Sequence, residues 1–203
     1  PDASLEGALA LFEKNSRVRV IDLSRNFGHY KAIMTGLARA RGDLVFLIDS
    51  DLEEPPEILE DFCEKMRETV VDVVYGVQEK RKGGWFERIS GSFFYALFNF
   101  FSDHPVPKNA VTARLMSRRY VSALTEHRDR EVFLAGLWAM TGFEQVPLTV
   151  RKTHKGVSTY DLSRKVAVFV NSITSFSSKP LVYVFYLGMV ISFLSSAAAA
   201  WLI

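Results

Sequence analysis

Cysteine is nearly absent from these 203 residues: Cys63 stands alone. One thiol forms no internal disulfide and supplies no metal framework. Its place in the helical stretch Ile58, Leu59, Phe62, Cys63, Met66 reads it as a small core hydrophobe. An excess of charge of one sign is missing too. The 25 basic residues face 23 acidic ones, and the basic ones are not gathered into one long stretch, which argues against a nucleic-acid partner. His29, His104, His127 and His154 show no metal spacing and read as surface or structural. There is no internal repeat, and no low-complexity segment apart from the run Ala197 to Ala200. An initiator Met and a signal peptide are also missing, and Pro1-Asp2 reads like the middle of a loop. What remains, 48% apolar, fits a globular body of ordinary domain size plus an appendage.

The appendage is the C-terminus. From Leu181 to Ile203 no residue is charged, and Lys179-Pro180 sits just before this run. At about 1.5 Å per residue such a helix spans a hydrocarbon core of about 30 Å. Gly188 and Ala197 to Ala200 suit close helix packing in lipid, the alternative being a buried helix of a soluble protein. Arg151, Lys152, Lys155, Arg164, Lys165 and Lys179 precede the run, and the positive-inside rule then places the body in the cytoplasm, at the inner membrane if the source is bacterial. The chain stops while still apolar, so a truncated transmembrane helix is expected over 180–203.

Within the body, strand and helix alternate at the spacing of right-handed βαβ units, which predicts an α/β fold. Leu5, Ala8, Leu9 and Phe12 follow helical spacing, with Asp2 or Ser4 as cap. Val18, Val20 and Ile21 predict a short strand, Ser24 to Gly28 a loop, and Ile33, Met34 and Leu37 a helix ending near Gly42. A further helix is expected over about 56–68 and a strand over Val70 to Val77. Between them lies the most informative run, Leu44-Val-Phe-Leu-Ile-Asp49-Ser-Asp51-Leu-Glu53-Glu54-Pro55-Pro56-Glu57. Five apolar residues predict a strand buried on both faces. It delivers Asp49 and Asp51 at its carboxyl end, where open α/β sheets bind ligands. On extended backbone, side chains at i and i+2 point the same way, so both carboxylates can reach one hard cation, Mg²⁺ or Mn²⁺, set against a diphosphate.

Beyond Val77 comes a charged loop with Arg81 and Lys82, then Trp85-Phe86, Arg88 and the aromatic run Phe93 to Phe101. Residues 85–102 read either as a core helix or as an amphipathic helix in the membrane interface, with Arg81, Lys82 and Arg88 toward lipid phosphates. Residues 156–179, with Ser158, Tyr160 and Arg164, read as a juxtamembrane loop and helix. They serve as a loop closing over substrate phosphates or as solvated charge near headgroups.

In order along the chain stand Ser24-Arg-Asn-Phe-Gly28, the strand Val45 to Ile48, Asp49 to Glu57, Tyr75-Gly76-Val77, and Arg114-Leu115-Met116. Gly156-x-Ser158-Thr159-Tyr160, Thr174 to Ser177 and Lys179-Pro180 follow. Over nearly its whole length the chain resembles the family 2 glycosyltransferases of GT-A fold. More narrowly, it is similar to the membrane-bound polyprenyl-phosphate glycosyltransferases related to dolichol-phosphate mannose synthase. The resemblance implies a Rossmann-like, mostly parallel sheet flanked by helices, with juxtamembrane amphipathic helices and a C-terminal transmembrane helix. It makes 1–155 a partial catalytic domain whose first strand is missing, so the 203-residue piece alone is expected to show no transferase activity. Its implied partners are a nucleotide-sugar donor, a polyprenyl (undecaprenyl or dolichyl) phosphate acceptor and membrane lipid, with a homo-oligomer left open.

The resemblance also implies roles. Asp49 and Asp51 sit near the donor diphosphate, with Asp51 the best metal ligand and Glu53 a second candidate. Arg25 touches the diphosphate or forms a surface salt bridge. Arg114 meets the acceptor phosphate, for which a planar fork suits bidentate binding. One departure stands out. Many relatives carry Gly-Asp-Phe-Arg, the Asp being the proposed general base, where this chain has Val111-Thr112-Ala113-Arg114. Either another group serves, with Asn109 part of a variant motif, or no base is needed. The second fits, because a phosphate monoester with a second pKa of about 6 is largely a dianion at neutral pH. Two other classes compete: a haloacid-dehalogenase-like phosphatase, for which Leu52-Glu53-Glu54-Pro55 fits poorly, and a non-catalytic membrane-tethered scaffold, which Thr112 favours and the intact Asp49 and Asp51 oppose.

Overall fold

The computed structural model describes residues 3–78, 100, 107, 109–127, 134–151 and 179–202. Helix α1 (Ser4–Lys14) has Ala3 in the capping position, so Ser4 is its first helical residue rather than its cap; Asp2 lies outside the described residues. The stretch Val18 to Ile21 forms no strand and is not part of the described sheet, contrary to expectation. Helix α2 (His29–Arg39) comes next, then β1 (Leu44–Leu47), a 3-10 turn (Pro56–Ile58) and α3 (Leu59–Thr69). Proline at the start of the turn has no N–H to leave unsatisfied, which suits it to that position.

Strand β2 (Val73–Gln78) begins three residues later than expected. Val70 is consumed in closing α3: its N–H donates to the Met66 carbonyl, and its backbone turns left-handed at φ 51°. Strand β3 (Ala110–Ser117), α4 (Arg118–Glu126), α5 (Leu134–Met140) and β4 (Gln145–Val150) complete the body. Helix α6 (Lys179–Leu202) ends the described chain, and its segment Leu181–Leu202 is long and apolar enough to cross a membrane.

The sheet order is β1-β3-β2-β4. β3 runs antiparallel to both β1 and β2, while β4 runs parallel to β2. Three of the four strands therefore point one way, and β3 is the single reversed strand in a mixed sheet. Its insertion between β1 and β2 corrects one expectation. With β3 as its only neighbour, β1 is an edge of the described sheet; Leu44 is exposed and Val45, Phe46 and Leu47 are half-buried. Burial on both faces belongs instead to β2 and β3, where Val73, Val74, Leu115 and Met116 are essentially inaccessible.

Alternation along these central strands builds a core on each side. One face packs Val73 and Met116 with Leu37 of α2, Tyr120, Val121 and Leu124 of α4, and Leu134, Leu137 and Trp138 of α5. The other packs Val74, Val111, Ala113 and Leu115 with Phe62 and Met66 of α3 and Val150 of β4. Cys63 borders this second core half-buried, in keeping with its reading as a small hydrophobe. Gly76 is required where β2 passes between its neighbours: a Cβ there would stand 2.6 Å from Val111 Cγ2 and 3.2 Å from Val150 Cγ2.

Two arginines lock the end of the sheet where β1 and β2 begin. Arg118 donates to the carbonyls of Ala40 and Gly42, tying the start of α4 to the end of α2. Arg119 pairs through both Nε and Nη2 with Asp72, a carboxylate only 5% exposed that also accepts from Ser117 Oγ at 2.7 Å. The guanidinium beside it holds Asp72 below the usual carboxylate range against the opposing effect of burial. With this end pinned, the opposite edge, at the carboxyl end of β1, carries the loop over 48–55.

Candidate active site

β1 stops at Leu47, two residues before the first acid of interest. The backbone then turns at Ser50 and Asp51, so the extended geometry that would aim Asp49 and Asp51 the same way ends before it reaches both. Each carboxylate is instead held separately. Asp51 is exposed, and its Oδ1 accepts from the Glu53 N–H at 3.0 Å in a local turn. Asp49 is more enclosed, its side chain 25% exposed, and its Oδ1 lies 3.5 Å from Nε2 of His29 at the first turn of α2. Leu52, next to Asp51, takes a left-handed φ of 58° while 64% exposed, a strained conformation for a leucine. Glu53 is half-buried and Glu54 buried at 1% exposure, which the sequence reading did not anticipate.

The loop before α2 approaches the same edge. Asn26 Oδ1 accepts from the Gly28 N–H at 2.8 Å, and Gly28 adopts φ 88°, ψ 159°, a conformation open to glycine. That turn starts α2 at His29. Arg25 is exposed and lies over the Phe27 ring, 4.4 Å from its centroid. Among the described residues it forms no ion pair.

Arg114 is placed by register. In β3 it pairs with Leu47 on one side and Tyr75 on the other. The paired register ends there, at Leu47 opposite Arg114, and Asp49 follows two residues beyond it. Arg114 is not a free surface fork. It is 2% exposed, its Cζ stands 3.0 Å above the centre of the Trp138 ring, and its Nε points to the Thr112 carbonyl at 3.4 Å. Burial pulls its guanidinium down to about 9, opposed by Tyr120 and Tyr75, so it remains a cation at neutral pH. The same burial pushes the Tyr120 hydroxyl up to about 12, and that hydroxyl donates to the Trp138 carbonyl at 3.2 Å.

Beside Arg114 lies a cavity of about 270 Å³, lined by Tyr75, Ala110, Trp138, Phe143 and Gln145 among others. Gln145 is held by two bonds of 2.8 Å from its Nε2 to the carbonyls of Trp138 and Gly142. The Trp138 indole N–H is buried and has no hydrogen-bond partner among the described residues. An enclosed cation beside aromatic walls suits an anionic or oxygen-rich group. Sequence reasoning missed Trp138 and Gln145, which carry no motif, and gave no role to Tyr75, which it named only within the motif Tyr75-Gly76-Val77; strand order and the packing of α5 bring the three to Arg114. It also set His29 aside as surface or structural. The signal for His29 was its place directly after the glycine that starts α2.

A divalent cation is compatible with this edge on donor chemistry, since carboxylate oxygens suit Mg²⁺ or Mn²⁺. Among the described residues no group of three or more His, Cys, Asp or Glu side chains converges as a metal cluster, so Asp49, Asp51 and Glu53 do not form a closed cage. That fits a cation held by one or two carboxylates and completed by substrate phosphates. Arg81, Lys82, Arg88, Ser158, Tyr160 and Arg164, the expected acceptor-phosphate or lipid contacts, lie outside the described residues, as does most of 85–102.

Comparison with known proteins adds an independent line. The sequence profile of glycosyl transferase family 2 matches residues 1–125. A protein of Mycobacterium tuberculosis carrying a glycosyltransferase name is 53% identical over 203 residues, all of this chain and 59% of the relative. The uncharacterized glycosyltransferase YkcC of Bacillus subtilis is 33% identical over 198 residues, 94% of this chain and 61% of its own length. The bactoprenol glucosyl transferase of Shigella phage SfX is 29% identical over 196 residues, 96% of this chain and 64% of that protein. The chain thus spans about three fifths of the curated relatives it matches.

Proposed function

The chain belongs to glycosyl transferase family 2, and on that basis we propose that it is the membrane-bound part of an inverting enzyme that moves a sugar from a nucleotide donor to a polyprenyl phosphate. The observation that carries this reading is the meeting at one sheet edge of an acidic donor-type loop and an enclosed arginine. Asp49 follows the end of β1, and Arg114 pairs with the last residue of that strand. Similarity to bactoprenol glucosyl transferases supports a lipid-phosphate acceptor, and the apolar helix Leu181–Leu202 supports a membrane setting. The basic residues before that helix favour a cytoplasmic catalytic face.

In this reading Asp51 and Asp49, with Glu53 as a further oxygen donor, hold the cation, and Arg25 lies toward the donor diphosphate. The cation, when bound, supplies Lewis-acid neutralisation of the leaving diphosphate, an effect worth several kcal/mol. Arg114 and the Trp138 N–H orient the acceptor phosphate in a site partly closed to water. An acceptor phosphate oxygen bonds to the anomeric carbon as the bond from that carbon to the diphosphate oxygen breaks, and the nucleoside diphosphate leaves with the electron pair. In-line displacement turns an α-linked donor into a β-linked lipid-phosphate sugar. The nucleophile is already anionic, so no proton needs to be removed and Thr112 is acceptable where many relatives have Asp.

The test is a donor screen on the full-length protein with polyprenyl phosphate and Mg²⁺ or Mn²⁺, reading out the glycosylated lipid. Asp51→Ala should abolish transfer, and Thr112→Ala should retain much of it. Normal turnover by Asp51→Ala would sink the metal-site assignment. Absence of metal-dependent nucleotide-sugar binding by the full-length protein would favour the scaffold reading instead.

A further inference from the structure

His29 is the one residue from another element that approaches Asp49 among the described ion-pair contacts. Its Nε2 lies 3.5 Å from Asp49 Oδ1, long for a hydrogen bond and close enough to tighten into one, as contacts at empty sites often do when substrate arrives. Its position is set from both sides. The Asn26 to Gly28 turn fixes where α2 begins, and the Tyr30 ring stands 5.7 Å from the imidazole at a tilt of 51°.

We propose that His29 is a positioning residue for Asp49: it donates from Nε2 to one carboxylate oxygen and leaves the other facing the cation and donor diphosphate. This rests on the reading of Asp49 as a donor-site acid. Asp51 already has such support from the Glu53 N–H, so the two acids are oriented by different devices, one local and one from across the edge. A neutral imidazole suits the task chemically. It offers a directed N–H without cancelling the negative charge on which a divalent cation depends, as a lysine or arginine would. The contact needs the Nε2–H form, with Nδ1 left as an acceptor.

Mn²⁺ alone is the probe, titrated into the full-length protein in detergent and followed by electron paramagnetic resonance, with no donor and no turnover. His29→Ala should weaken Mn²⁺ binding about 10- to 100-fold, the range typical when an outer support of a ligand is removed. His29→Gln, whose Nε2–H reaches similarly far, should restore it to within a few-fold of the parent. Because the His29 side chain is 57% exposed, neither variant should change the thermal midpoint. Asp49→Asn serves as the reference. If Asp49→Asn weakens Mn²⁺ binding and His29→Ala does not, the positioning role is overturned while the metal reading stands. If neither change matters, the assignment of Asp49 fails and this proposal falls with it.

Discussion

Arg114→Met tests whether the buried cation is kept for chemistry rather than for the fold. The guanidinium is 2% exposed, is drawn down to about 9 chiefly by burial, and meets no carboxylate among the described residues. At about 1.4 kcal/mol for each tenfold change in proton affinity, that displacement corresponds to roughly 4–5 kcal/mol. Relaxation and water entry reduce such costs to a few kcal/mol in real proteins. The stack over Trp138 returns about 2 kcal/mol. Methionine fills a similar volume with no charge to desolvate, so the variant should be more stable at pH 7 by about 1–2 kcal/mol, roughly 2–8 °C in Tm. It should also lose transfer to polyprenyl phosphate. Burial lowers the folded-state value, so the unfolded chain binds this proton more tightly, and the penalty is complete at pH 7. It is relieved only as pH rises above about 9 toward the ordinary arginine range. The stability gap between variant and parent should therefore narrow at pH 10. Paired thermal scans at both pH values provide the assay. A variant several degrees less stable at pH 7, or a gap that does not shrink at pH 10, would refute the reasoning.

Two further predictions concern the frame around the site. Asp72→Asn turns an amide N–H toward Arg119 and should cost about 1–3 kcal/mol in chemical denaturation. Since the folded-state carboxyl lies below its ordinary value, its contribution is complete above about pH 4 and fades as pH falls through that lower value, so the variant's acid limb should be flatter than the parent's. Gly76→Ala puts a Cβ 2.6 Å from Val111 Cγ2 between two packed strands. Overpacking of that kind should cost about 1–3 kcal/mol by the same measurement, and a neutral result would mean the strands can separate there without loss.

Local pattern made much of this fold legible. The apolar run from Leu44 predicts β1 and sets two acids beyond its end, and the periodicity of Ile33, Met34 and Leu37 predicts α2. What stayed hidden depends on pairings distant in sequence. The five-residue apolar run reads as a strand buried on both faces, yet β1 sits at a described edge and β2 takes that place, because the reversed strand β3 separates them. Nothing local to residues 110–117 announces that reversal. The burial of Arg114 was hidden for the same reason: it comes from Trp138, 24 positions away in the chain, through the packing of α5 on the sheet.

Strand β3 also bears on the departure at position 112. Under the proposed function a carboxylate there would stand two residues from Arg114 on the same strand, on the side where the anionic acceptor approaches. Against a phosphate dianion, a second negative charge at that place raises the cost of approach and offers no proton transfer in return, since the nucleophile has none to give. A threonine hydroxyl keeps a polar atom at that place without the repulsion. In that proposed arrangement Asp51, held by its own loop, and Asp49, within reach of His29, serve the donor, and Arg114 and the Trp138 N–H serve the acceptor. Under the proposed function Thr112 is therefore compatible with transfer, and Thr112→Asp, rather than Thr112→Ala, is the substitution expected to slow it.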